Sequence, residues 1–97
     1  MNIRFEWDAA KAAANLKKHG VGFDLAMRVF SDPFAMSHQD RFEGGEQCWQ
    51  TIGMVDGLVL LLVAHTLRDE DGSEVVRIIS ARKATRQEQR GYEQEHR

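Results

Sequence analysis

The chain has 97 residues, of which 42% are hydrophobic and 29% are charged. This size and composition are typical of one folded domain and exclude a disordered chain. The single cysteine, Cys48, excludes an internal disulfide and a zinc site built from several cysteines. The longest apolar run, Leu58–Ala64, has seven residues against the roughly 20 that span a membrane, and no secretory leader pattern is recognisable. We therefore expect one cytoplasmic domain over residues 1–97.

The formal net charge of -2 argues against a broad affinity for nucleic acid, because phosphate binding is driven by positive charge. The charges are unevenly distributed. Residues 1–23 carry four cationic residues against two acidic ones, residues 24–76 carry three against ten, and residues 77–92 carry five against one. If the two basic segments meet in the fold, they form a local positive surface suited to a small anionic ligand.

The first third of the chain predicts one strand and two helices. Ile3–Trp7 alternates apolar and polar residues, as a half-buried strand does. Asp8 has the chemistry of a helix N-cap, the alanine-rich segment Ala9–Lys18 favours a helix, and Gly20 can end it in a left-handed conformation. Apolar residues at helical spacing predict a second helix over residues 22–30.

The middle of the chain predicts four strands separated by turns rich in glycine and aspartate. The third of these strands is apolar on both faces, so we expect it to lie at the centre of the sheet. The predicted strands are Ala35–Asp40, Gln47–Val55, Leu58–Thr66 and Val75–Ala81.

The end of the chain predicts a final helix. Thr85 and Glu88 have the spacing of a capping box, so the helix is expected from about residue 86 to residue 96. Gly91 costs it roughly 1 kcal/mol relative to alanine. Its only large apolar residue is Tyr92, so we expect a solvated tail or a surface that a partner orders.

This order of elements predicts an α+β fold. We expect two N-terminal helices on one face of a mostly antiparallel sheet of four to five strands, followed by the C-terminal helix. The first strand is expected to insert beside the last ones.

The candidate site consists of polar residues that interrupt the apolar strands. His65 ends the longest apolar run and Arg68 follows it, while Arg77 interrupts the next strand and Arg82 and Lys83 follow that strand's apolar part. In an antiparallel hairpin His65 comes close to Arg77. A register shift of one residue would put Arg77 on the other face of the sheet.

A histidine beside arginines suits metal-independent cleavage of RNA, in which the 2′-hydroxyl attacks the adjacent phosphorus. Histidine can act as acid or base near neutral pH, and arginine binds phosphate through two parallel hydrogen bonds. Each residue also has a structural interpretation: His65 could be a hydrogen-bonded core residue, and Arg77 could pair with Glu46 or Glu74. The remaining histidines, at positions 19, 38 and 96, are too scattered for metal-ligand spacing.

The sequence resembles the BrnT family of bacterial type II toxins. The resemblance rests on the segments FEWDAAKAAANLKKHGVGFDLAMRVFSDP, IGMVDGLVLLLVAHTLRD and RIISARKATRQEQRGYE, which run from about Phe5 to Tyr92. It implies a RelE-like fold and a ribonuclease that blocks translation. It also implies a BrnA antitoxin, whose ribbon-helix-helix part binds operator DNA and which forms a hetero-oligomer with the toxin.

The motifs of this family assign roles to individual residues. The VAHT and RIISARKA segments imply His65, Arg77 and Arg82 as catalytic residues, with Lys83 beside them. The helix motif implies Lys11, Lys18 and, at the helix end, His19. For contacts to the RNA backbone we expect Lys11, Lys18, Arg68 and Lys83, and we expect neither a metal nor a cofactor. Two alternatives remain open: a non-catalytic module that binds nucleic acid in a repressor complex, and an interaction domain that acts through its last helix.

Overall fold

The computed structural model has an α+β fold, in which helices pack on both faces of a five-stranded sheet. It describes residues 2–95, except for the side chain of residue 43. No helix within these residues is long and apolar enough to span a membrane. The elements are, in chain order, β1 (Asn2–Glu6), α1 (Ala9–His19), α2 (Phe23–Ala26), a 3-10 helix (Met27–Ser31), β2 (Met36–Glu43), β3 (Glu46–Val55), β4 (Val59–Glu70), β5 (Ser73–Lys83) and α3 (Arg86–Gln94).

The strand order is β1-β5-β4-β3-β2, so the apolar strand β4 lies at the centre as predicted. Strands β2 to β5 form an antiparallel meander, whose tight turns fix the strand directions. β1 lies beside β5, as expected, but pairs with it in parallel. The sheet is therefore mixed, because no tight turn joins β1 to β5 and nothing local enforces an antiparallel pairing.

Helix α1 begins and ends where the sequence predicts. The Asp8 carboxylate accepts hydrogen bonds from the backbone N–H groups of Ala10 and Lys11, at 2.8 and 3.1 Å. Gly20 ends the helix with a positive φ of 70°. These contacts fix the start and the end of the helix that lies along β5.

Asn15, in the middle of α1, joins this helix to the sheet. Its buried side chain donates to the carbonyl oxygens of Val21 and Ala81, both at 2.9 Å, and accepts from the backbone N–H of Ala81 at 3.1 Å. The amide thus takes the place of a neighbouring strand at the edge of β5, beyond the end of β1. All the polar atoms of this buried group are satisfied.

The predicted second helix is wrong as one continuous α-helix, because it breaks into α2 and the 3-10 helix. Phe23, Ala26 and Val29 are all buried, and a spacing of three matches the period of a 3-10 helix. Gly53 on β3 allows this close packing, since a Cβ there would lie 2.8 Å from a Val29 side-chain carbon. The change from α-helix to 3-10 helix after Ala26 lets Val29 enter the same core as Phe23 and Ala26.

The two faces of the sheet have different coverings. The α1 face is covered by α1, α2 and the 3-10 helix over the main core, which includes Phe23, Leu61 and Ile78. The opposite face, called here the α3 face, has a smaller core in which Tyr92 of α3 packs with Ile52 and Leu60. Tyr92 is the one buried residue of α3, and through it the helix packs on the sheet instead of forming a solvated tail. Residue 96 of the predicted helix lies outside the described residues.

The ring of Tyr92 is anchored at its hydroxyl. This group donates to the Asp32 carboxylate at 2.6 Å, and the same carboxylate oxygen accepts from the backbone N–H of Met54 at 2.7 Å. Burial and the neighbouring carboxylate raise the pKa of Tyr92 to about 12. The contact ties α3 to the segment that follows the 3-10 helix.

Candidate active site

The strand register places His65 and Arg77 on opposite faces of the sheet. His65 is opposite Ile78, whereas Arg77 is opposite Thr66. Because neighbouring residues on a strand point to opposite faces, the predicted cleft shared by His65 and Arg77 is wrong. The cause is a register shift between Ala64 and His65, which leaves one extra residue in β5. Without this bulge, Arg77 would lie on the same face as His65.

His65 belongs to the packing of the α1 face. Its side chain is 1% exposed, and its ring meets the ring of Phe30 edge-on at a centroid distance of 4.9 Å. Its Nε2 atom lies 2.7 Å from the Thr51 hydroxyl, and its Nδ1 atom lies 3.3 Å from the Thr66 carbonyl oxygen. Since a carbonyl can only accept, Nδ1 carries the hydrogen and Nε2 accepts from Thr51. Burial lowers the pKa of His65, so the ring is neutral.

The α3 face is only partly covered by its helix. Next to Ile52 and Leu60, two rows of paired residues cross the strands, and we call this region the open half; the row nearer α3 lines a cavity with Gly91 and Tyr92 of that helix. Small side chains lie in the middle of these rows, and longer polar or cationic ones lie toward β2 and β5. The two rows are Arg41, Cys48, Thr66 and Arg77, and His38, Gln50, Ala64 and Ser80.

A carboxylate holds two arginines side by side at the β5 side of the open half. Arg68 donates to both carboxylate oxygens of Glu6, at 3.0 and 3.1 Å, and Arg77 donates to one of them at 3.3 Å. Arg68 also binds Glu70, which pairs in turn with Arg4 at 2.9 Å. The hydrogen bond from Arg68 lowers the pKa of Glu6. The three arginines of this group face Glu6 and Glu70, and Asp8 adds a third carboxylate near Arg77.

Arg82 also lies on the α3 face, but it holds α3 in place. Its guanidinium donates to both carboxylate oxygens of Glu88, at 2.8 and 3.0 Å, and Glu88 also accepts from the Thr85 backbone N–H in the predicted capping box. The hydrogen bond from Arg82 is the main cause that lowers the pKa of Glu88 to about 2. Lys83 pairs with Leu61, at the far end of β5 from Arg77.

The two predicted helix lysines lie along the free edge of β5. Lys11 and Lys18 line a shallow cavity of about 220 Å³ together with His19 and Ser80. Ser80 belongs to the open half, so the structure brings the helix lysines to the border of that surface. His65 does not line this cavity.

Comparison with known proteins shows which family the chain belongs to. The sequence model described as "Ribonuclease toxin, BrnT, of type II toxin-antitoxin system" matches residues 7–88. The chain belongs to the BrnT family. A solved structure of the Brucella abortus ribonuclease toxin BrnT has 25% identity and a TM-score of 0.64, and the alignment covers 89% of this chain and 100% of that one. Among curated proteins, none matches the chain significantly.

The BrnT family consists of ribonuclease toxins from type II toxin–antitoxin systems. Within residues 2–95, no group of three or more His, Cys, Asp or Glu side chains is arranged to hold a metal ion. Sequence patterns did not predict that Glu6, Glu88 and Gln50 lie on the α3 face with the arginines, and they set His38 aside. Their strands were predicted, but only the pairing between distant strands brings these residues to one face.

Proposed function

We propose that this BrnT-family protein is an endoribonuclease that binds RNA on the open half of the α3 face. Without the help of a metal ion, the 2′-hydroxyl of the RNA loses its proton and attacks the adjacent phosphorus. The bond from phosphorus to the 5′-oxygen breaks, and that oxygen leaves as a hydroxyl from a 2′,3′-cyclic phosphate. The cleavage arrests translation in the cytoplasm. We also propose that the fold of the protein is RelE-like. The observation that carries it is the pair Arg68 and Arg77, which Glu6 holds side by side on this surface.

Arg77 is the residue that we assign to the scissile phosphate. Its side chain is 41% exposed, and one contact to Glu6 leaves most of its five N–H donors available. An arginine fixed in this way can counter the charge that develops on a phosphorane. Glu6, which also binds Arg68, keeps Arg77 in position, and Arg82 contributes positive charge while it anchors α3.

His65 does not act as the proton carrier in this proposal. His65 is a positioning residue, because its hydrogen bond to the Thr66 carbonyl fixes β4 opposite Arg77. Among the histidines within residues 2–95, His38 is the one that lies on the open half, and it is exposed. Because β2 lies three strand spacings from β5, about 14 Å, His38 contacts the RNA strand away from the phosphate that Arg77 binds.

The proposal is tested with purified protein and a defined RNA in buffer that contains EDTA. We expect Arg77→Ala to lower the cleavage rate by roughly 10²–10³, the effect of losing one electrostatic donor. Arg28→Ala is the matched control, since Arg28 is an exposed arginine paired with Asp56 at the β3–β4 turn. Equal losses in both variants would refute the assignment of Arg77. Complete loss of wild-type cleavage in EDTA would refute metal independence.

A second candidate function is a module that binds nucleic acid without cutting it. It is favoured by the carboxylate partner that each of Arg68, Arg77 and Arg82 already has, which reduces the charge available for catalysis. In that case the loss of Arg77 would weaken RNA binding and lower its salt dependence. No purified preparation would then cleave RNA.

The family implies an antitoxin partner, and we propose that it is a BrnA-like ribbon-helix-helix protein. The resulting hetero-oligomer binds operator DNA through the antitoxin. An acidic segment of the partner on the open half would neutralise Arg77 and block RNA binding together. Arg77→Glu is then expected to weaken both antitoxin binding and RNA cleavage, and an unchanged antitoxin affinity would refute this surface.

A further inference from the structure

A cavity of about 180 Å³ opens on the α3 face between α3 and the sheet. Its walls are mainly apolar and come from Met36, Ile52, Leu62 and the ring of Tyr92. Pockets for drug-sized ligands measure roughly 300–1,000 Å³, so this cavity is suited to a single ring system rather than to an extended molecule. The hydrogen bond from Tyr92 to Asp32 keeps the aromatic wall in place.

The polar side of the cavity faces the open half. Gln50 and His38 line it, and the Gln50 amide makes no hydrogen bond to another described residue. A free amide offers a donor and an acceptor together, which is what recognition of a base edge requires. Glu88 also lines the cavity, and its carboxylate is paired with Arg82, so the charged border of the cavity is an ion pair. The apolar walls and the Gln50 amide fit the base of a nucleotide.

Gly91 of α3 is explained by the same cavity. It lies inside the helix without a positive φ, so the backbone does not require glycine, which costs stability in a helix interior. A Cβ atom at this position would meet no other atom within 4 Å, although Gly91 lines the cavity. Neither packing nor conformation therefore accounts for the glycine. The absence of a side chain keeps the cavity open.

We propose that this cavity binds one base of the RNA strand and sets the base preference of the enzyme. Gln50 is the specificity-determining residue, the apolar walls hold the plane of the base, and Gly91 provides the space. The inference rests on the proposed function, because it places the base beside the surface that we assign to the RNA backbone. It adds the recognition of one base to the phosphate contact that we assign to Arg77.

The test measures binding of fluorescein-labelled 2′-O-methyl hexanucleotides with each of the four bases. These RNAs lack the attacking hydroxyl, so binding is measured separately from cleavage. We expect the wild type to bind its preferred base about tenfold or more tightly than the weakest one. Gln50→Leu, which keeps the size but removes the amide, should bring the four affinities within about threefold of each other.

Gly91→Ala separates a loss of the cavity from a loss of folding. The added methyl group should weaken binding of the purine oligonucleotides by about tenfold and that of the smaller pyrimidines less. The melting temperature should rise by roughly 4–8 °C, because alanine favours the helix. Gln87→Ala is the matched control, since Gln87 is exposed on α3 and does not line the cavity. It should leave the base preference unchanged.

The possible outcomes distinguish this inference from the proposed function. If RNA binds and is cleaved but Gln50→Leu and Gly91→Ala keep the wild-type preference, the base pocket is refuted and the proposed function stands. If both variants lose affinity for the antitoxin but keep the base preference, the cavity is a protein-binding site and the inference is wrong. If no wild-type oligonucleotide binds, the proposed function fails and the base pocket fails with it.

Discussion

At the scale of single residues, His65 shows how its neighbours decide the role of a histidine. In the sequence it follows a long apolar run, which suggests a catalytic histidine at a strand end, but in the structure it lies inside β4, with its ring against Phe30 and bound to Thr51. The Thr51 hydroxyl lies 2.8 Å from the Ser37 hydroxyl, so a chain of hydrogen bonds crosses three strands. We therefore assign His65 to stability rather than to proton transfer.

The first prediction concerns stability at this site. His65→Ala should lower the free energy of unfolding by about 2–5 kcal/mol, since it leaves a cavity and unpaired buried groups. Because burial lowers the pKa of His65 below 6.5, the unfolded chain binds the proton more readily than the folded one. Wild-type stability should therefore fall as pH drops below 6.5. Urea titrations at several pH values measure both effects.

Ser80→Ala is a control for the His65 variant, because Ser80 lies on the other face in the neighbouring strand. It should change the free energy of unfolding little and leave the pH dependence intact. A His65→Ala protein with wild-type stability, or with an unchanged loss of stability below pH 6.5, would contradict this assignment.

At the scale of elements, short segments of the sequence predict the helix caps and the strands, but they do not predict how distant strands pair. The caps of α1 and α3, the central position of β4 and the turn at Asp56 follow from short segments, and the structure confirms them. The bulge in β5 could not be predicted, because one extra residue leaves the alternation of apolar residues almost unchanged. That bulge decides the face of Arg77, so most of the candidate site was beyond the reach of sequence patterns.

The second prediction concerns the attachment of α1. Asn15→Ala should lower the free energy of unfolding by about 2–4 kcal/mol, since the Ala81 backbone at the edge of β5 loses both of its side-chain partners. Lys17→Ala, an exposed change in the same helix, should stay within about 0.5 kcal/mol of the wild type. Equal effects of the two changes in chemical denaturation would show that Asn15 does not hold α1.

The third prediction concerns the attachment of α3. The pKa of Glu88 is about 2 in the folded protein and 4.5 without its partners, so the carboxylate stabilises the fold above pH 4.5. This contribution should disappear as pH falls from about 4.5 to about 2. Glu88→Gln should therefore be less stable than the wild type at pH 7, and the difference should shrink in acid. Thermal melts across this range measure it, and a constant difference would contradict the account.

At the scale of the whole molecule, the distribution of charge reconciles an acidic protein with an RNA substrate. The net charge is -2, but β5 and α1 bring arginines and lysines to the open half and its border. The carboxylates Glu6 and Glu88 hold these cations in place and limit their total charge. A surface of this kind favours short contacts with one RNA strand over coating of a long nucleic acid.

The most direct test of this account follows the arginine Nε–H signals in nuclear magnetic resonance while an uncleavable 2′-O-methyl RNA is added. If RNA binds on the open half, the signals of Arg68 and Arg77 should shift with a common affinity. The signal of Arg28, at the distant β3–β4 turn, should stay in place. Saturating RNA binding that shifts Arg28 and leaves Arg77 unchanged would contradict the placement of the RNA site.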